Sequence, residues 1–463
     1  MIQENYQISV THGEDCAAIL GRLGECLGKI RESGAYREAS GVYVRLLMPQ
    51  IPMRDAGEVG AFVRDSLPKA VVAGISMTFF PEKPKEAFLF MNCSYFAHAQ
   101  VTLLEHVGWP DHYKTAGRNF GHRIAQMKDV KGVEIFCVGL NIDVSRFVIG
   151  VSEENADVPF FGSLAGSFMD RDVNPEFVHT SIAEKEMPLV CYILGNKIYD
   201  TGIVMAVFSG EELHVQADCL LGWKPLGKEM TVTSAISRTC IATIDGIPAT
   251  EIYRKYLKAP PDDRFLENVC EFPMITERDG FLVARTPPLI EADGKMYFNA
   301  DVHEGEKYRL SYANAGELLQ ETREASERMW EFRPEGIYIC ACINRLVFLK
   351  GEAVQEMDAY RRMQPQFATS YGAGEIYRHQ GKGGVLNSSF VVVGMREGER
   401  PEDGAILPEL PRLRPSKQIP LSTRLAAFLD ATTRELKESN RKLRDMAEAA
   451  QAQPWQNPSS SRI

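Results

Sequence analysis

The chain has 463 residues, 44% of them hydrophobic and 25% charged, with a formal net charge of −10. That length allows two or three domains of ordinary globular composition. The acidic balance, with no run of Lys and Arg, argues against a nucleic-acid partner, and no apolar run reaches the length that spans a membrane.

Taken in chain order, Tyr6 to Val10 reads as a strand and Asp15 to Arg31 as a helix with Ala17, Leu20, Leu23 and Leu27 on one face. Strand-like Gly41 to Met48 and a helix from Asp55 to Ser66 follow. Ala70 to Phe80 and Ala87 to Tyr95 are strands, Asp111 to Met127 a helix, and Gly132 to Leu140 a strand again. Alternation of this kind predicts sheets covered by helices. Beyond Pro159 the pattern turns β-rich, with Met187 to Leu194, Ile198 to Ser209, Glu212 to Leu221 and Arg238 to Ile244 as strands. Pro248 then opens a short helix, Ala249 to Leu257.

Lys258 to Asp263 (KAPPDD) reads as a domain boundary. After it come strands near Phe281 to Arg285, Met296 to Asn299 and Lys307 to Ser311, and a helix from Ala315 to Trp330. Gly336 to Leu349 is an apolar strand or pair of strands, Glu352 to Gln364 a helix, and Val391 to Gly394 the last body strand. The fold class expected is α/β: two modules of mixed or antiparallel sheets flanked by helices, plus a C-terminal helix. The modules are expected at 1–258 and 259–396, a Pro-rich linker at 397–420, the helix at 421–450 and a disordered tail at 451–463.

In that helix Leu429, Leu436 and Leu443 recur every seven residues, and Ala426, Thr433, Asn440 and Ala447 hold the other seam position. Leu at the second core position with one polar Asn at the first favours a parallel two-stranded coiled coil. An amphipathic helix folded back on the body has the same pattern. The coiled coil is preferred because the tether is rich in proline, and it predicts a homodimer.

The ten cysteines are scattered, with no CxxC pair and no His at zinc spacing. Those in EIFCVGL and PLVCYIL read as small buried hydrophobes. This usage suits a reducing cytoplasm, and the first residues lack the basic start and apolar core of a secretory signal. No phosphate loop, dinucleotide fingerprint or HExxH helix is present. No catalytic residues, metal or cofactor are expected.

Four places look like parts of a site. Gly162 to Gly166, with Ser163, reads as a tight small-residue loop. Cys340 and Cys342 would share one strand face, with Arg345 beyond them to clamp a carboxylate. Gly374-Glu375 puts a carboxylate after small residues, either partnering Arg345 around an amino-acid-like ligand or forming a structural ion pair with it. Asn387 and Ser388 start the last body strand. The candidate ligand set is Arg345, Glu375, Cys342, Gly374, Asn387, Ser388 and Ser163.

In order and spacing these segments resemble the paired FIST domains. The N-terminal module is matched by Gly162 to Gly166, Asp200 to Ile203, Gly222 to Gly227, Thr231 to Thr233 and Ile244 to Ala249 ahead of Tyr253. The C-terminal module is matched by Cys342-x-x-Arg345, Gly374-Glu375-Ile376 and Asn387 to Phe390. The resemblance implies a cytoplasmic sensory domain for a small ligand such as an amino acid, placed ahead of an output module such as a diguanylate cyclase or histidine kinase. With no such motif in the sequence, that output, if present, would lie beyond this chain, and the chain itself is not expected to be an enzyme. The alternatives are a Cys-dependent enzyme using Cys342 and a protein-interaction scaffold without a small ligand.

Overall fold

In the computed structural model the described residues are 1–10, 14–49, 51–77, 87–107, 112–138, 143–166, 191–262, 265–401, 406–410 and 421–452. They form four sheets flanked by helices, followed by the helix Leu421–Ala452. The first sheet runs, edge to edge, Ile2–Val10, Ala87–Phe96, Gly41–Pro49, Ala70–Met77, Ile193–Leu194, Ile198–Tyr199. Its outer face is covered by the helices Cys16–Glu32 and Met53–Ser66, which bury Leu23, Leu27, Val59 and Val63 against Val44 and Leu46. The helix starts where the sequence indicates, because the Asp15 side chain accepts from the backbone N–H of Ala17.

The second sheet has the order Lys382–Leu386, Gly374–His379, Phe160–Leu164, Val130–Val138, Gly202–Ser209, Gln100–Val107. Helices Tyr113–Ala125 and Val144–Ser152 cover its outer face. The third sheet is Leu213–Leu220, Phe390–Glu397, Gly336–Cys342, Ala368–Gly372, packed on helices Ala315–Phe332 and Ala353–Arg361. A fourth sheet, built on the long strand Lys224–Ser237, carries its own core with helix Thr250–Leu257.

The expected division at residue 258 does not separate these sheets. The late hairpin 374–386 extends a sheet from the first half, pairing Gly374 with Leu164 and Arg378 with Phe160. The early strand Leu213–Leu220 in turn pairs with Phe390–Glu397. The two halves are interleaved by backbone hydrogen bonds.

Two local expectations are corrected. Gly162 to Gly166 is not a loop: residues 160–164 form a central strand whose backbone bonds both neighbours, so its N–H groups are not free for an anion. Small residues are needed there for packing. Gly162 has φ +152°, and a Cβ on it would lie 1.9 Å from the carbonyl oxygen of Ile135. The apolar run Gly336 to Leu349 is one strand to Cys342 and then a helix, Ile343–Leu349, because the paired strand Ala368–Gly372 ends opposite Cys342. A short apolar run does not distinguish the two forms.

The first three sheets meet face to face. Tyr43 of the first packs edge-on to Phe208 of the second at 5.3 Å, and Phe208 lies 6.0 Å from Tyr338 of the third. Inside this aromatic cluster the fully buried Arg45 pairs with Glu134 at 2.7 Å. It also donates to Ser370 Oγ and the Ala368 carbonyl, and Tyr43 donates to the other Glu134 oxygen at 2.7 Å. Removing one partner of such a pair leaves a buried charge uncompensated. Arg45→Ala is therefore expected to cost about 3–5 kcal/mol in urea unfolding, and the double change Arg45→Met with Glu134→Leu to cost much less.

Candidate functional site

Two parallel strand pairs, one in each of two sheets, end at the same place. Val130–Val138 and Phe160–Leu164 run parallel in the second sheet, and Gly336–Cys342 and Ala368–Gly372 run parallel in the third. Carboxyl ends of parallel strands are where open α/β sheets bind ligands. Ala373 is the single residue by which the chain leaves the third sheet at Gly372 and enters the second at Gly374. Its N–H is bonded to the Leu164 carbonyl, and its own carbonyl accepts from Asn299 at 2.9 Å and from Asn387 at 3.2 Å.

Glu375 is fully buried and faces the third sheet, beside its cross-strand neighbour Ser163. One carboxyl oxygen accepts from the N–H of Ser389 at 3.2 Å and from its hydroxyl at 2.6 Å. The carboxyl also has the Cys342 thiol as a side-chain hydrogen-bond partner. Burial pushes the Glu375 pKa up to about 8, against the lowering effect of those bonds, so the group is largely neutral at pH 7. Cys342 approaches Glu375, and burial raises its thiol well above the ordinary range. Gly374 is required by crowding, since a Cβ there would lie 2.7 Å from the Leu386 carbonyl oxygen.

Arg345 does not join this group. It is buried in helix Ile343–Leu349 and bonds Glu356 at 2.7 Å, the Leu221 carbonyl and Thr322. Burial works against its charge, but Glu356 outweighs this and raises the pKa. The carboxylate partner of Arg345 is thus Glu356 and not Glu375, and the guanidinium is used in tying three helices together. Ser163, on the same sheet face as Glu375, is engaged in a 2.6 Å hydrogen bond with Ser370 next to Arg45.

Ser388 is held at φ +59°, a left-handed conformation uncommon for serine. Its hydroxyl receives a 2.6 Å bond from Asn344 and lies 3.2 Å from Thr286, and its carbonyl accepts from the Trp223 indole at 2.9 Å. Strained residues of this kind cluster at ligand sites. The structure therefore brings together Glu375, Cys342, Gly374, Asn387 and Ser388, and sends Arg345 and Ser163 to structural networks. Sequence reasoning misses Asn299, Glu356 and Thr322, which carry no local signal. Ser389, the next residue after Ser388, is the one that bonds Glu375. Among the described residues no group of His, Cys, Asp and Glu is arranged to hold a metal ion, and no helix is long and apolar enough to cross a membrane.

Two outcomes follow. Arg345→Ala is expected to destabilise the fold by about 3–5 kcal/mol in denaturant titration, because Glu356 is left buried and unpaired. For Glu375 the folded pKa, about 8, lies above the ordinary 4.5, so its protonated form stabilises the fold fully below about pH 4.5 and that contribution falls as pH rises to about 8. The neighbouring charge of Arg345 and the raised thiols of Cys342 and Cys219 do not titrate in this window. Glu375→Gln should gain thermal stability relative to wild type between pH 5 and pH 9, as read from unfolding midpoints.

No curated protein matches the chain. Among solved structures, a cyanuric acid hydrolase from A. caulinodans is similar at 8% identity and TM-score 0.30, over 86% of this chain and 99% of that one, a likeness too slight to carry an argument. The FIST N domain matches residues 46–247 and the FIST C domain residues 249–378. FIST domains are in general sensory and signalling domains that bind small ligands. The chain belongs to the FIST family, as a FIST N domain followed directly by a FIST C domain.

Proposed function

We propose that this chain is a sensor whose small ligand occupies the junction around Ala373 to Glu375, and that occupancy is relayed through the helix Leu421–Ala452 to an output module. One observation carries the binding reading. Asn387 Oδ1 and Asn299 Oδ1 are both buried, both on side chains that donate to the Ala373 carbonyl, and both without a donor among the described residues. A buried polar atom left unmade costs about 1–3 kcal/mol, which a bound molecule relieves.

The relay has a physical route. Ser388 lies in the same segment as Asn387, and its carbonyl is bonded to Trp223, which precedes the strand Lys224–Ser237. The terminal helix is folded back along that strand, the alternative to the coiled coil that its pattern allowed, and Lys437 adds to the larger effect of Lys307 in lowering the pKa of Glu229. Its leucine seam faces outward: Leu429, Leu436 and Leu443 are 52%, 62% and 60% exposed. Exposed leucines at heptad spacing are suited to a second copy of the same helix, and a ligand that favours one position of the strand would alter that pairing. A free amino acid is one candidate ligand, although Arg345 is already occupied by Glu356.

The reading of Cys342 as a nucleophile has less support. Its thiol is 2% exposed and held protonated by burial, and thiolate is the reactive form.

Thermal-shift screening of the chain against polar metabolites is expected to give stabilising compounds whose effect is lost in Asn387→Ala. Sedimentation equilibrium is expected to show a dimer that Leu436→Glu converts to monomer with the body still folded. A screen without a single stabilising compound would remove the binding claim, and a monomeric wild type would remove the relay.

A further inference from the structure

The amide groups of Asn299 and Asn387 converge on one atom, the Ala373 carbonyl oxygen, at 2.9 and 3.2 Å. This contact fixes how both amides are turned. Reversing either would set its oxygen against the carbonyl oxygen, so each Nδ2 faces Ala373 and each Oδ1 faces away. Both oxygens are buried, on residues only 6% and 2% exposed, and neither has a donor among the described residues. Each amide therefore presents an unpaired oxygen beside its second N–H.

The charge around them decides what kind of donor fits. Asp301, two residues beyond Asn299, bonds Arg285 at 2.9 Å and Arg278 at 2.8 Å, and Arg278 bonds Glu306 at 2.6 Å. Arg285 also donates to the carbonyl of Val385, two residues before Asn387. Two cations and two anions cancel, and His303, which contacts Asp301, has its pKa lowered by burial. A buried charge is costly without a counter-charge, and the Glu375 carboxyl at the same junction is held largely neutral at pH 7 by burial. Arg345, the cation that would receive a ligand carboxylate, is bonded to Glu356.

We propose that Asn299 and Asn387 recognise a neutral N–H donor on the ligand, the NH2 or NH of a primary amide, a urea or an amino-heterocycle, rather than the ammonium or carboxylate of a free amino acid. This rests on the sensor reading above and specifies its ligand class. Each unpaired amide oxygen beside a spare N–H is an edge that a neutral, flat amide or urea complements with its own N–H and C=O, whereas a carboxylate brings the oxygens no donor and an ammonium brings the spare N–H no acceptor.

A matched set of small probes tests this on the intact chain: acetamide, N,N-dimethylacetamide, acetamidinium and acetate, followed by saturation-transfer NMR and competition. Acetamide is expected to bind, and the other three to bind at least tenfold more weakly. Asn299→Ala and Asn387→Ala, each checked for a native unfolding midpoint, are expected to weaken acetamide about tenfold, the loss of one hydrogen bond. Equal binding of acetamide and its dimethyl derivative overturns the proposal, as does preference for acetamidinium or acetate. Binding of none of the four also overturns it and leaves the two oxygens to ordered water. A metabolite that lacks N–H bonds yet stabilises the chain through Asn387 would sink this ligand class while leaving the sensor reading standing. A chain that no metabolite stabilises would sink both.

Discussion

The buried guanidinium of Arg45 is the constraint on which the arrangement of sheets depends. It rises from the first sheet, meets Glu134 of the second, and donates to Ser370 and Ala368 of the third. A single cation with several fixed donor directions thereby sets the relative placement of three sheets. Apolar packing of Tyr43, Phe208 and Tyr338 fills the space around it but is non-directional. The ion pair supplies the direction, at a desolvation cost that only a full set of partners offsets.

The same logic separates the two kinds of buried polar group in the FIST C half. Arg345, Glu356 and Thr322 satisfy one another and join the helices behind the third sheet. Asn387 and Asn299 each keep an oxygen without a donor among the described residues, and they stand where the chain crosses from one sheet to another. Ser388, in its left-handed conformation, links that place to Trp223 and so to the long strand under the terminal helix.

Much of the architecture was legible in the sequence. The helix Cys16–Glu32 and the strands Gly41–Pro49 and Lys307–Tyr312 follow from apolar periodicity and an aspartate cap. Gly374-Glu375 and Asn387-Ser388 are recognisable because small residues next to polar ones are unusual in a β-rich body. The partner of Arg345 was not legible, since Glu356 lies on a helix brought near only by tertiary packing. Asn299 was hidden for the same reason: its meaning comes from Ala373, far along the chain. The strand at Phe160–Leu164 reads as a loop from sequence because its glycine answers to a neighbouring backbone and not to a turn.

The interleaving of the halves bears on how the protein is made. While the ribosome is still translating the second half, the strand Phe160–Leu164 already exists without the neighbour it later finds in Gly374–His379, and Leu213–Leu220 waits likewise for Phe390–Glu397. Unpaired strand edges in a nascent chain invite association with other chains. Neither half closes its own sheets, so a chain that carried one half without the other would leave those edges open.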